Sequence, residues 1–495
     1  PQTITSAVPY QEIQDAISKS GERDYYTFSA DSGDVVGVEF EIPQSSSLGA
    51  EVVLRTQEPD FLSGTQRIAA STKQGETDRQ YHVLQADGDY TIEVHSYRRI
   101  GGDTGDYTLR FNVISPARTI VVGKDPSATP NAVTGFVGSA LRAVEQNGTV
   151  NVAAGTYNMH TWSIVKPGVT VKGQGVQQTV FSWPDEDFLR MQRNSVLRDV
   201  HLERVNYHED PLVELENGNN GITLRNLQFS GASAGVVSEG SNRNDDFLAE
   251  NIVINLRPTG YRAVGFEIQG NNARLKNLEF NAGSSNNLSE GIGVTGSGAL
   301  LQNNVFNAAP QGNGHVVDPM WVEGAGARVL DNEVHGYRRG IRVRSASQAS
   351  SSVPDTATVM GNQLYGSQDP DVPIRISRVA NARVSNNFVG DYPELNAGII
   401  LDESGGRVVN NRITAAGGAG IEYEATSSNR PSVHIYNNAV RNTDDSGGKG
   451  LEVYVGSASQ APVHVFNNIF ERASGGDGIG IRSSAALAGA DAGDR

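Results

Sequence analysis

Trp321, Glu323, Arg342, Arg344, Arg375, Asp402, Glu422 and Glu424 are the residues of this chain whose types could do chemistry together. An exposed tryptophan stacks on a sugar ring, and carboxylates and guanidinium groups bond hydroxyls and carboxylates with directional hydrogen bonds. Two carboxylates separated by about 5 to 9.5 Å serve glycoside hydrolysis as acid and base or nucleophile. Asp402 with Glu422 or Glu424 is the candidate pair, with Arg344 as a further candidate catalytic residue. Trp321, Glu323, Arg342 and Arg375 are candidate glycan-binding residues. They spread over a hundred positions, so the fold must bring them together.

A repeated phrase supplies the means. It reads ALLQNNVF at Ala299, ARVLDNEV at Ala327, ATVMGNQL at Ala357 and ARVSNNFV at Ala382. It continues as GRVVNNRI at Gly406, VHIYNNAV at Val433 and VHVFNNIF at Val463. The shared residues are Asn304, Asn332, Asn362, Asn387, Asn411, Asn438 and Asn468, with a period of about 27 residues. Four looser copies precede them, at Ser195, Ile222, Phe247 and Ala273. A fixed period of this size predicts a repeat architecture in which each unit covers its neighbour's apolar face. A second short run follows each phrase, as in GIRV at Gly340, GIIL at Gly398, GIEY at Gly420 and GIGI at Gly478. Both runs alternate as half-buried strands do, and Asn, Gly, Val and Ile at these densities are poor helix formers. The expectation is a coil of short parallel strands. Its recurrent Asn would take a left-handed bend and bond the Asn one coil away, as a structural ladder.

These features resemble the right-handed parallel β-helix, or pectate-lyase-like, superfamily. GTVNVAAGTYN at Gly148 and VKPGVTVKGQG at Val165 look like its opening coil. Residues 131–146 read as the amphipathic helix that caps the coil in that family. The resemblance implies that ligands lie along the GIRV-type strands, where residues between the inward apolar ones point out. That outward column includes Glu267, Gln269, Trp321, Glu323, Arg342, Arg344, Arg375, Ser377, Ile400, Asp402, Glu422, Glu424, Glu452 and Tyr454. By analogy with the superfamily, Arg342, Arg344 or Arg375 would be the base of a lyase. Gly314-His315 lacks the glycine after His expected of a polygalacturonase. Outward strand positions of a solenoid are polar in any case, so plain surface ladders, glycan binding and catalysis all remain open.

Residues 1–115 lack the period. Strands at Arg23, Val35, Glu51, Gln80, Tyr90 and Tyr107, separated by Gly-, Asp- and Ser-rich turns, predict an antiparallel β-sandwich. Asp24-Tyr25-Tyr26-Thr27-Phe28, Gly88-Asp89-Tyr90-Thr91-Ile92 and Gly105-Asp106-Tyr107-Thr108-Leu109 resemble the bacterial pre-peptidase C-terminal domain family, which implies an accessory module of secreted proteins. The expected organisation is all-β: a sandwich over 1–115, a right-handed parallel β-helix over 116–484 with its helix cap, and a tail over 485–495.

Composition sets outer bounds. The chain has 495 residues, no cysteine and a net charge of −16. Disulfides and thiolate metal sites are excluded, and nucleic acid is disfavoured as partner. Only seven of the 40 basic residues are lysine, which suggests a salt-adapted source. No apolar run reaches the length of a membrane span. The nine histidines show no metal-ligand spacing, and no cofactor is implied. His434 and His464 fall in phase near Arg383 and Arg407, as a basic stripe on another face. Asn147 and Asn287 lie in glycosylation sequons, and with the start at Pro1 they point to export. The last strand, at Gly478, runs into a small polar segment that could not cover an apolar coil, so either a further C-terminal segment has been removed or another subunit covers the end, as a head-to-tail filament or a trimer. The leading expectation is an extracellular or cell-surface structural or adhesive protein that self-assembles, binds polysaccharide, or both. The alternative is a polysaccharide lyase or glycoside hydrolase acting on an acidic polysaccharide.

Overall fold

The computed structural model describes residues 2–3, 11–56, 65–71, 77–96, 104–123, 133–134, 136–159, 162–184, 187–206, 210–232, 234–240, 243–256, 263–282, 288–307, 318–337, 339–345, 355–366, 371–426, 431–442, 448–456, 462–472 and 478–483. Two compact units divide the chain, Pro1–Asn206 and Tyr207–Arg495. Among the described residues every element is a strand except one helix, α1, Val137–Ala143.

The first unit opens with two mainly antiparallel sheets. One orders Gln11–Ile17, Gly105–Ile114, Val35–Glu41 and Thr77–Val83; the other orders Gln2–Thr3, Arg23–Ala30, Gly88–Ser96, Ala50–Thr56 and Thr65–Ser71. Alternating residues of both sheets fill one core, with Tyr26, Phe28, Val38, Phe40, Ile92, Leu109 and Phe111 all buried. The expected sandwich is present, with three strands that patterning did not reveal, Gln2–Thr3, Gln11–Ile17 and Thr65–Ser71. One of them, Gln11–Ile17, carries few apolar residues because it is an edge strand.

Between Ile114 and Ala117 the pairing changes to parallel. Ala117–Gly123 pairs with Val144–Val152, which pairs in turn with Thr170–Lys172. Helix α1 covers seven residues where sixteen were expected, and all but Arg142 are buried. It stops because the strand Val144–Val152 begins at once. Lys166 Nζ donates to the carbonyls of Arg142 and Val144 and so satisfies the helix end. A Cβ at Gly138 would lie 2.5 Å from the Tyr81 ring, so only glycine lets the sandwich approach this closely. Arg142 sits 5.5 Å from the centre of that ring, and Ser139 Oγ donates to Asn112 Oδ1 at 3.2 Å. The sandwich and the first coils therefore pack as one unit.

In the second unit every strand pairs in parallel with its counterpart one coil on. The Asn ladder runs through seven coils and is buried in the first six, Asn304 to Asn438. Each Asn Oδ1 accepts both the backbone N–H and the side-chain N–H of the Asn before it, at 2.9 to 3.0 Å. The remaining Nδ2 hydrogen goes to a strand carbonyl, such as Leu275, Val359 or Ile435. The expected left-handed bend, however, belongs to the residue before: Asn303, Asp331, Gly361, Asn386, Asn410, Asn437 and Asn467 carry the positive φ. The ladder Asn points inward and the corner residue points out. In the looser copies Asn226, Asn251 and Asn277 are these outer corner residues, bonded to one another at 3.0 to 3.1 Å. The inner position there is Leu227, Ile252 and Leu278, all buried.

Substituting a ladder Asn strands buried partners on both sides. Asn387→Leu removes four ladder and carbonyl bonds. Asn304→Leu removes three and places leucine next to Leu278. Each buried group left without a partner costs about 1–3 kcal/mol. Thermal and denaturant unfolding should show Asn387→Leu to be the more destabilised variant; equal or reversed midpoints would contradict the ladder's role.

Candidate functional site

Constant register turns the GIRV-type strands into two columns. The first runs Gly293, Trp321, Arg342, Arg375, Ile400, Glu422, Glu452 and Gly480. The second runs Thr295, Glu323, Arg344, Ser377, Asp402, Glu424, Tyr454 and Arg482. Successive members are about 4.8 Å apart. Inward neighbours such as Val322, Ile341, Val343, Ile374 and Ile421 are fully buried, which fixes the columns' outward phase. Gly420 shows why these strands begin with glycine: a Cβ there would meet the Val440 side chain at 2.2 Å. Ile400 departs from the polar expectation. It is only 7% exposed and packs with Val372, Ala397 and Ala419, an apolar patch that separates the arginines from the glutamates in the first column.

The sequence-predicted residues all lie in these columns, in two electrostatic groups. In the arginine group, Arg375 Nη2 donates to Asp402 Oδ2 at 3.1 Å, and Ser377 Oγ donates to the same oxygen at 3.2 Å. Arg342 Nε lies 3.0 Å from Asp318 Oδ1 and its Nη2 lies 3.8 Å from Asp371 Oδ2. Arg339 Nε donates to Asp371 Oδ2 at 2.7 Å, and its Nη1 lies 3.6 Å from Asp318 Oδ2. Three guanidinium groups thus meet three aspartates. Asp318, Arg339 and Asp371 complete this network and lie outside the outward column read from the sequence. They flank the strands at loop junctions, so strand alternation gives no signal for them. Burial opposes ionisation of Asp371, but the Arg339 hydrogen bond and charge, helped by Asn396 and Arg342, hold its carboxyl below the ordinary range. Burial also lowers the pKa of Arg342. Arg344 is exposed, and neither it nor its column neighbour Glu323 makes an ion pair among the described residues. Trp321 is half-buried at the upper end of the group.

The second group is acidic. Glu422 stands beside Glu452 in its own column, with Asp402 and Glu424 adjacent in the other. Burial raises the Glu422 carboxyl above the ordinary glutamate range, and Glu452, Glu424 and Asp402 add to this while Arg375 opposes it. Lys449 Nζ bonds Glu452 Oε1 at 2.7 Å. A raised Glu422 beside an arginine-bound Asp402 is the kind of unlike carboxyl pair that acid–base chemistry uses. Among the described residues no group of three His, Asp or Glu side chains is placed to hold a metal ion. No helix among them is long and apolar enough to cross a membrane. Asn147 is exposed at a left-handed bend; Asn287 lies outside the described residues.

Comparison with known proteins agrees on the fold. Residues 320–489 match the family model described as right handed beta helix region, and the chain carries a right-handed parallel β-helix. No curated protein matches the chain. One similar solved structure is the catalytic unit of a thermostable GH87 alpha-1,3-glucanase from Streptomyces thermodiastaticus strain HF3-3. It is 15% identical over 96% of this chain and 97% of that chain, with a TM-score of 0.39. Another is Aeromonas hydrophila PliG, a periplasmic lysozyme inhibitor of g-type lysozyme, at 17% identity over 22% of this chain and 95% of that chain, TM-score 0.18. A third is the pre-peptidase C-terminal domain of collagenase from Bacillus anthracis, at 19% identity over 22% of this chain and 92% of that chain, TM-score 0.18.

The Glu422 environment has a signed consequence. Its folded pKa is raised, so the stability tied to its protonated form is fully present below the ordinary glutamate value, about 4.3. That stability is lost as pH rises through the folded value. Glu422→Gln should therefore melt above the parent at pH 7, and the two should converge below about pH 4. A variant that melts lower at pH 7 would mean that the carboxylate is better paired than its surroundings indicate.

Proposed function

We propose that this chain is an exported, extracellular glycan-binding protein that holds polysaccharide along the two outward columns of its second unit. The observation that carries the reading is Trp321 in direct register with Arg342 and Arg375, with Asp402, Glu422, Glu424 and Glu452 continuing the same face. An aromatic ring at one end and a row of hydrogen-bonding groups at sugar-scale spacing is what a linear glycan requires. Because Asp318, Asp371 and Asp402 neutralise Arg339, Arg342 and Arg375, the row offers mostly paired donors and acceptors, with exposed Arg344 as the exception. That suits hydroxyl-rich chains as well as acidic ones.

Trp321→Ala should weaken binding to the preferred polysaccharide of a neutral and acidic panel about tenfold, the scale of losing one stacked ring. Affinity electrophoresis and calorimetry would measure it, and unchanged binding by the folded variant would sink the reading. The unlike environments of Glu422 and Asp402 favour a second reading, hydrolysis with Glu422 as acid. Release of reducing ends that disappears in Glu422→Gln would establish it; unsaturated uronates lost in Arg344→Ala would instead mark a lyase. Self-association as a filament or trimer belongs to the proposal too. Sedimentation that stays monomeric across a hundredfold concentration range would exclude it.

A further inference from the structure

The strand that precedes the Asn corner carries a column of its own on a different face. Arg383, Arg407, His434 and His464 stand in strict register on four successive coils. Two residues along each strand, and so on the same face, Tyr436 and Phe466 stand in register with each other. The two imidazoles stack at 4.6 Å and 13°, and the two aromatic rings at 4.8 Å and 5°. Each pair covers its two facing sides and presents ring edges outward: nitrogen-bearing in one column, hydrocarbon with the Tyr436 hydroxyl in the other. Arg383 and Arg407 are exposed, His464 is exposed and His434 half-buried.

This row differs in its charge balance from the arginine group around Trp321, where Arg344 alone lacks an ion pair among the described residues. There, each of Arg339, Arg342 and Arg375 faces an aspartate. Here, none of the four basic side chains has a carboxylate within ion-pair distance among the described residues. Among the described residues the only side-chain hydrogen bond of the four is from Arg383 Nε to Ser385 Oγ, at 3.3 Å. In a chain of net charge −16, four consecutive coils present uncompensated bases in a line.

We propose that this column is a second carbohydrate-contacting surface, one that takes a linear polyuronate. The chemistry fits in three respects. A guanidinium group pairs a carboxylate bidentately, and an imidazole edge donates to a carboxylate or hydroxyl. The bases recur every coil, about 4.8 Å, close to the advance of one pyranose along a linear chain. The apolar edges of Tyr436 and Phe466 offer a wall for sugar C–H groups beside the charged row.

The surface is independent of the Trp321 face, so the two readings can fail separately. The probe is polygalacturonate, measured by affinity electrophoresis at low and moderate salt in the parent and in Trp321→Ala. In both backgrounds Arg383→Gln/Arg407→Gln should weaken binding about tenfold or more and flatten its salt dependence, as loss of charge-assisted contacts requires. His434→Gln/His464→Gln, on separate strands, should give a smaller loss in the same direction. All four positions are outward, and unchanged melting would show that the variants fold. Binding that is unaffected by both double variants overturns the proposal. So does a single-stranded oligonucleotide that binds this column as tightly as polygalacturonate, which would assign it to nucleic acid.

Discussion

The second unit depends on one constraint: each coil must hydrogen-bond to the next in unbroken register. The separation between successive ladder residues is not constant. It is 28, 30, 25, 24, 27 and 30 residues from Asn304 to Asn468. A solenoid with such variable coils would lose register if each coil were fitted to the last by length alone. The Asn corner prevents this. It closes each coil at the same place, and its side chain bonds the Asn of the adjoining coil and a strand carbonyl, so extra residues are absorbed in the loops elsewhere. A slipped corner would bury amide groups without partners.

That register converts sequence into surface. A residue between two inward apolar positions is placed beside residues some 27 positions away, and whole columns acquire a single chemical character. The two outward columns around Trp321 and the column from Arg383 to His464 are built by the same device and differ in charge balance. On the first, loop-junction carboxylates at Asp318 and Asp371 reach in to neutralise arginines. On the second, no described carboxylate does. Burial explains part of the contrast: Arg342, with a quarter of its side chain exposed, would be costly without Asp318, whereas exposed Arg407 is solvated by water.

Periodicity made the strands, their phase and the outward columns legible, because strand alternation and the repeated Asn act locally on each coil. Three things were not. The left-handed bend fell one residue before the ladder Asn, since two adjacent asparagines, as in Asn386-Asn387, do not say which turns the chain and which turns inward. The Asp318–Arg339–Asp371 network came from residues at strand entrances, whose positions depend on how loops of different length return to the sheet. Ile400 occupies an outward position yet is buried, because the long strand Phe388–Asp402 and its neighbour Arg412–Ala425 bring Ala397 and Ala419 over it. Each depends on contacts between coils of unequal length, which a single period does not encode.

The interior is filled in two ways, and the change between them explains where the candidate sites lie. In the earlier coils of the second unit the corner's inner position is Leu227, Ile252 and Leu278, and a run of rings from Phe229 through Phe266 and Phe280 packs the centre, ending at Phe306 and Tyr337 in the first two laddered coils. From Asn304 onward the corner becomes a polar ladder. Apolar packing tolerates small shifts between coils, whereas a chain of buried amide bonds does not, since each bond fixes both distance and direction. Trp321, the arginine network, Asp402, the glutamates and the basic column all fall within the laddered coils. A surface that must hold groups of successive coils at one spacing against a regular polymer gains most where the corner permits least movement, and that is where this chain carries its charged and aromatic columns.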